Sequence, residues 1–124
     1  MDKKRLLVID DDPSMCDYIG AVGDSLGFEV HSATRGRAAE QEVESFRPDF
    51  IVLDLFMPDM DGIEVLRLLA KHRCAASILM VSNYEDEILA QALKLAKGLG
   101  LNLAGSLHKP IQLPRLEAAL QAAA

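Results

Sequence analysis

Three runs of consecutive apolar residues punctuate the chain: Leu6-Leu7-Val8-Ile9, Phe50-Ile51-Val52-Leu53 and Ile78-Leu79-Met80-Val81. Each is too short for a helix, and none alternates with polar residues. Unbroken apolar strands of this length are the kind that a parallel sheet covers on both faces. Between them apolar residues recur at helical spacing: Met15, Ile19, Val22 and Leu26; Ala39, Val43 and Phe46; Leu66 and Leu69; Ile88, Ala92 and Leu95; finally Leu113, Leu116 and Leu120. Phe28-Glu29-Val30-His31 alternates, which predicts a less buried strand near a sheet edge, and residues 103–107 form a weaker fifth strand. Strand and helix thus alternate five times, the pattern of βαβ units in an α/β fold.

Local punctuation supports this parse. Asp12 followed by Pro13 is an N-cap followed by the first helical position that best tolerates a missing N–H, so the first helix starts there and stops near Gly27. Arg47-Pro48 closes the second helix, because the residue before proline avoids the helical region. Glu85, Asp86 and Glu87 put negative charge in the first turn of the fourth. With 124 residues and no repeat, low-complexity stretch or linker, one domain over 1–124 is expected, and the Ala-rich residues 116–124 read as a helix able to run on in a longer protein.

Composition narrows the function classes. Half of the residues are hydrophobic and 26% charged, which fits neither a disordered nor a fibrous chain. The net charge of −6 argues against direct binding of nucleic acid or anionic lipid, which depends on clustered Lys and Arg. No apolar run approaches the ~20 residues of a membrane span, and the start has no signal-peptide pattern, so a cytoplasmic protein with no membrane partner is expected. Cys16 and Cys74 lie far apart without metal-ligand spacing and read as free thiols. His31, His72 and His108 are scattered, and no pair of them has ligand spacing.

The residues that follow the strands carry the chemistry. The first strand ends in Asp10-Asp11-Asp12, the third in Asp54, the fourth in Ser82-Asn83 and the fifth in His108-Lys109-Pro110. In an open parallel α/β sheet the carboxyl ends of the strands line the crevice where ligands bind. Asp10, Asp11 and Asp54 would crowd three negative charges there, which is unfavourable unless a divalent cation or a proton offsets them. Mg²⁺ suits such a set, since it takes hard oxygen ligands and commonly pairs one or two carboxylates with a phosphate oxygen. Lys109 and Ser82 supply an ammonium charge and a hydroxyl for the equatorial oxygens of a phosphoryl group. A carboxylate oxygen is a competent phosphoryl acceptor, so Asp54 is expected to be phosphorylated in line. Asp12 reads as a helix cap, Asp59 and Asp61 as turn formers beside Pro58 and Gly62, Met57 and Met60 as loop anchors on the third helix, and His108 as facing away from the site.

The set Asp10-Asp11, Asp54, Met57-Pro58-Asp59-Met60-Asp61-Gly62, Ser82 and Lys109-Pro110 resembles the receiver domain of bacterial two-component response regulators, over essentially the whole chain. The resemblance implies a doubly wound (βα)5 flavodoxin-like, CheY-like fold with a parallel sheet in the order 2-1-3-4-5. It implies Asp54 as phosphoacceptor from a histidine kinase or histidine phosphotransfer protein, and Mg²⁺ on Asp10, Asp11, Asp54 and the main-chain carbonyl of Phe56. Ser82 would be the switch hydroxyl, Lys109 the phosphoryl contact, and Lys109-Pro110 a cis peptide. An output domain or effector, and a homodimer on activation, complete the implied partners. Residues 98–110 resemble receivers found ahead of EAL-type cyclic di-GMP phosphodiesterase domains.

Two departures from the family pattern stand out. Ser106 occupies the position, three before the lysine, where such receivers usually carry Tyr or Phe, so the usual inward rotation of an aromatic is not expected. Phe56 and Tyr84, each two residues after a site residue, add bulk that would shield the phosphoryl group from water and slow self-dephosphorylation. The competing reading is a small Asp-nucleophile phosphatase of α/β type. Such enzymes usually need a second acid two residues after the nucleophile, where this chain has Phe56, so the chain is expected to be no enzyme beyond slow loss of its own phosphoryl group. A nucleotide-binding module is disfavoured because no glycine-rich phosphate loop follows any strand.

Overall fold

A computed structural model of the chain describes residues 3–57, 62–83 and 86–123. Ten elements alternate among the described residues: β1 (Arg5–Ile9), α1 (Pro13–Ser25), β2 (Glu29–Ala33), α2 (Gly36–Ser45), β3 (Phe50–Asp54), α3 (Gly62–Lys71), β4 (Ser77–Ser82), α4 (Asp86–Gly98), β5 (Asn102–His108) and α5 (Leu113–Gln121). The strands form one parallel sheet in the order β2-β1-β3-β4-β5, as expected.

The apolar runs are continuous because alternate residues feed two separate cores. On one face Leu7, Ile9, Ile51, Leu53, Ile78 and Met80 meet the buried sides of α2, α3 and α4. On the other, Leu6, Val8, Phe50, Val52, Leu79 and Val81 meet Cys16, Ile19 and Val22 of α1 and Leu116 and Leu120 of α5. β2 is largely exposed, in keeping with its place at the sheet edge. Among the described residues, no helix is long and apolar enough to cross a membrane. Both cysteines are free thiols.

Asp12 caps α1 as expected, its side chain accepting a hydrogen bond from the Ser14 N–H at 2.9 Å, with Pro13 as first helical residue. Several edges differ from the sequence reading. The alternating strand lies at Glu29–Ala33, slightly later than its four-residue signal, while Phe28 packs into the core. α2 ends at Ser45, before the Arg47-Pro48 signal, because Arg47 adopts a left-handed conformation (φ 54°) and its N–H turns back to the Glu42 carbonyl. Along α4 the buried residues among those described are Leu89, Ala92 and Ala96, with Leu95 only partly covered, and the side chain of Ile88 lies outside the described residues. Leu113 was expected in the core but is 45% exposed, since it is the first residue of α5 and only Leu116 and Leu120, further along, reach the sheet.

Candidate functional site at the carboxyl edge of the sheet

The parallel register carries the polar residues to one edge. β1 pairs Ile9 with Leu53, so Asp10 follows directly beside Asp54, and β3 pairs Asp54 with Val81, one step before Ser82. β4 pairs Ser82 with His108, which leaves Lys109 next in line. The Lys109 N–H donates to the Ser82 carbonyl at 2.9 Å, fixing where its side chain departs. Asp10, Asp54 and Ser82 are buried, whereas Asp11 is exposed and opens the site to solvent.

The two buried carboxylates are held by backbone. Asp10 Oδ1 accepts from the Asp12 N–H at 2.9 Å, and the Asp10 carbonyl accepts from the Cys16 thiol at 3.3 Å. Burial, then the charge of Asp10, push the Cys16 thiol up to about 11, so it stays a neutral donor beneath the site. Asp54 Oδ1 accepts from the Phe56 N–H at 3.2 Å, which fixes the carboxylate on its strand end.

Lys109 Nζ lies 3.1 Å from Asp10 Oδ2 and 3.5 Å from Asp54 Oδ2. Burial works against its charge, but the hydrogen bond to Asp10 and the charges of Asp54 and Asp10 together outweigh it and hold the ammonium above its ordinary value. Asp54 has the longer contact with that ammonium. Its burial, followed by the charge of Asp10, raises its carboxyl to about 6 against the opposing pull of the Phe56 N–H and Lys109. One carboxylate oxygen from each of Asp10, Asp11 and Asp54 lies within 4.8 Å of the other two. A single ammonium cannot neutralise three carboxylates, and hard oxygen donors so spaced match what Mg²⁺ takes.

The residues at both ends of the segment after Asp54 are closely packed. Met57 is buried against the α2–α4 face of the sheet, and the Gly62 N–H donates to the Leu55 carbonyl at 2.9 Å. A Cβ at Gly62 would stand 2.5 Å from Leu55 Cα, so only glycine allows α3 to start this close to the end of β3. Phe56 is 53% exposed beside the site, and Ser106 is half-buried within β5. Lys109-Pro110 is a cis peptide. His108 is exposed. Tyr84, Glu85, Pro58, Asp59, Met60 and Asp61 lie outside the described residues.

One grouping escaped the sequence reading. His72 has no histidine partner, yet its ring nitrogen meets Glu40 and Glu44 of the neighbouring helix. The signal present in the sequence was the i, i+4 spacing of the two glutamates, which point the same way from α2.

Comparison with known proteins agrees with this arrangement. The chain is 34% identical over 84 residues to the alkaline phosphatase synthesis transcriptional regulatory protein PhoP of Bacillus subtilis, covering 68% of this chain and 35% of that protein. It is 31% identical to the regulatory protein AtoC of Escherichia coli, covering 73% of this chain and 20% of that one. The chain therefore spans a fifth to about a third of the length of these relatives. A crystal structure of a response regulator from Colwellia psychrerythraea superposes with a TM-score of 0.85 at 35% identity, covering 98% of this chain and 96% of that one. The family model of the response regulator receiver domain matches residues 6–121, so the chain belongs to the receiver domains of two-component response regulators.

Proposed function

We propose that Asp54 is the phosphoacceptor of this receiver domain, charged by a histidine kinase or a histidine phosphotransfer protein. What carries the reading is the placement of the Lys109 ammonium between the Asp10 and Asp54 carboxylates at 3.1 and 3.5 Å, at the carboxyl edge of the sheet. An Asp54 oxygen attacks phosphorus, the bond from phosphorus to the donor imidazole breaks, and the imidazole leaves with a proton. Lys109 then turns from the carboxylates toward a phosphoryl oxygen, and the buried Ser82 hydroxyl offers a second contact. Asp10, Asp11, Asp54 and the Phe56 carbonyl are the oxygens that would hold Mg²⁺, which when bound neutralises charge building on the phosphoryl group. A raised Asp54 carboxyl is still largely ionised at neutral pH, so the nucleophile is available.

The phosphoryl group acts as a ligand that favours one of two arrangements, and an output domain, an effector or a second copy of the chain reads the change. With Ser106 in place of an aromatic, that change runs through α4 and its adjoining loops rather than through a ring turning inward. A phosphatase acting on other phosphoesters is not favoured, because Phe56 stands where a leaving-group acid would be needed. The free thiols of Cys16 and Cys74 fit a reducing compartment, the cytoplasm. Hydrogen exchange with and without beryllofluoride and Mg²⁺ tests the switch. Added protection is expected at residues 54–57, at Ser82 and Lys109, and along α4; identical exchange in both states contradicts it.

A further inference from the structure

A second group of ligand-type side chains joins α2 to the end of α3 and shares no residue with the carboxyl-edge site. Glu40 and Glu44 stand one turn apart on α2, and His72 directly follows α3. His72 Nε2 lies 3.0 Å from Glu40 Oε2 and 3.5 Å from Glu44 Oε1, and one donor atom from each of the three falls within 4.8 Å of the others. The histidine is well placed by backbone: its N–H donates to the Leu68 carbonyl at 3.1 Å, and the Cys74 N–H closes the helix end on the Leu69 carbonyl at 2.9 Å.

Within the cluster one imidazole faces two carboxylates, and Lys71 lends a further positive charge to Glu40 only. One ring nitrogen carries at most one proton, and the hydrogen-bonding contact at 3.0 Å directs it to Glu40, which leaves Glu44 with an ion-pair distance only. Like charges at i, i+4 repel on a helix surface. Glu44 also falls at the C-terminal end of α2, where no basic residue sits in the last turn and the helix dipole disfavours anions. Each of these three features is unfavourable by itself and turns favourable with a cation among the donors.

The separations also suit a particular cation. Zinc bonds of about 2.0–2.1 Å in a tetrahedron set neighbouring donors about 3.3 Å apart, and the observed 3.0 and 3.5 Å straddle that edge. An imidazole with two carboxylates selects zinc-like transition cations over Mg²⁺ or Ca²⁺, which prefer oxygen alone. Three protein donors leave a fourth position, and Glu44 and His72 line a cavity of about 390 Å³ from which water can fill it.

We propose that Glu40, Glu44 and His72 form a site for a divalent transition cation of the zinc class, which ties the end of α2 to the end of α3. The test is calorimetric titration of Zn²⁺ into the whole chain in excess Mg²⁺, which keeps the carboxyl-edge site filled, alongside the absorption spectrum of the Co²⁺ form. One equivalent is expected to bind. His72→Gln and Glu44→Gln, both at part-exposed positions that should leave the fold intact by circular dichroism, should each weaken binding by at least about tenfold. Co²⁺ should show visible tetrahedral bands without a thiolate charge-transfer band, and Cys74→Ser should bind as the parent does. Absence of binding by the parent, binding that survives His72→Gln, or a thiolate band lost in Cys74→Ser would each overturn the proposal.

Discussion

Asp54 is buried at the end of β3, and its raised carboxyl ties stability to pH with a definite sign. Its pKa in the folded protein, about 6, lies above the value of about 3.9 expected when unfolded. The folded state therefore binds this proton more tightly; its stabilising contribution is full below the unfolded value and is lost as pH rises through about 6. In metal-free protein, Asp54→Asn should raise stability at pH 7 by about 1–2 kcal/mol, an amount reduced by solvent reaching the site from the Asp11 side, and should gain nothing at pH 3.5. Urea melts at both pH values in the presence of a chelator check this, and a lower midpoint for Asp54→Asn at pH 7 contradicts it. At this scale the sequence shows Asp10, Asp54, Ser82 and Lys109 clearly, because each follows a strand end and the strand ends converge. It hides the meeting of His72 with Glu40 and Glu44, because those partners come from another helix and histidine spacing along the chain says nothing about them.

Elements transmit these placements. Gly62 lets α3 begin against Leu55, next to Asp54, so Gly62→Ala must shift either the helix start or the strand end. A loss of about 1–3 kcal/mol is expected from such overpacking, together with slower phosphorylation; denaturant midpoints and phosphorylation rates measure both, and an unchanged rate would show that Leu55 and Asp54 do not move. The Asp12 cap makes a smaller, purely local demand: Asp12→Ala should cost about 1 kcal/mol in the same melts, without abolishing phosphorylation. Element type was legible because the apolar periods are strong, and the start of α1 because Asp12-Pro13 is a specific cap. The ends were less so. Arg47 takes a left-handed conformation usually given to glycine, which ends α2 early, and Leu113 obeys the helical period yet lies beyond the sheet that would cover it. Helical spacing alone does not reveal how far a neighbouring surface extends.

For the whole molecule, the two cores follow from unbroken apolar strands alternating with one-sided helices, whereas the strand order 2-1-3-4-5 was implied by the family resemblance and not by the apolar pattern. The same order gathers Asp10, Asp11 and Asp54 at one edge, so part of the acidity behind the net charge of −6 is concentrated there rather than spread evenly over the surface. Phe56, exposed beside that edge, is expected to keep water from the phosphoryl group and make phospho-Asp54 long-lived. Phe56→Ala should shorten its lifetime, measured by loss of the phosphorylated species with Mg²⁺ present; a lifetime of seconds in the parent contradicts the shielding. That Asp54 accepts the phosphoryl group is tested most directly by intact-protein mass spectrometry after incubation with Mg²⁺ and a small phosphodonor. A single hydroxylamine-labile phosphoryl adduct, mapped to Asp54 and absent from Asp54→Asn, is the predicted result, and an adduct that persists in Asp54→Asn, or none in the parent, would contradict it.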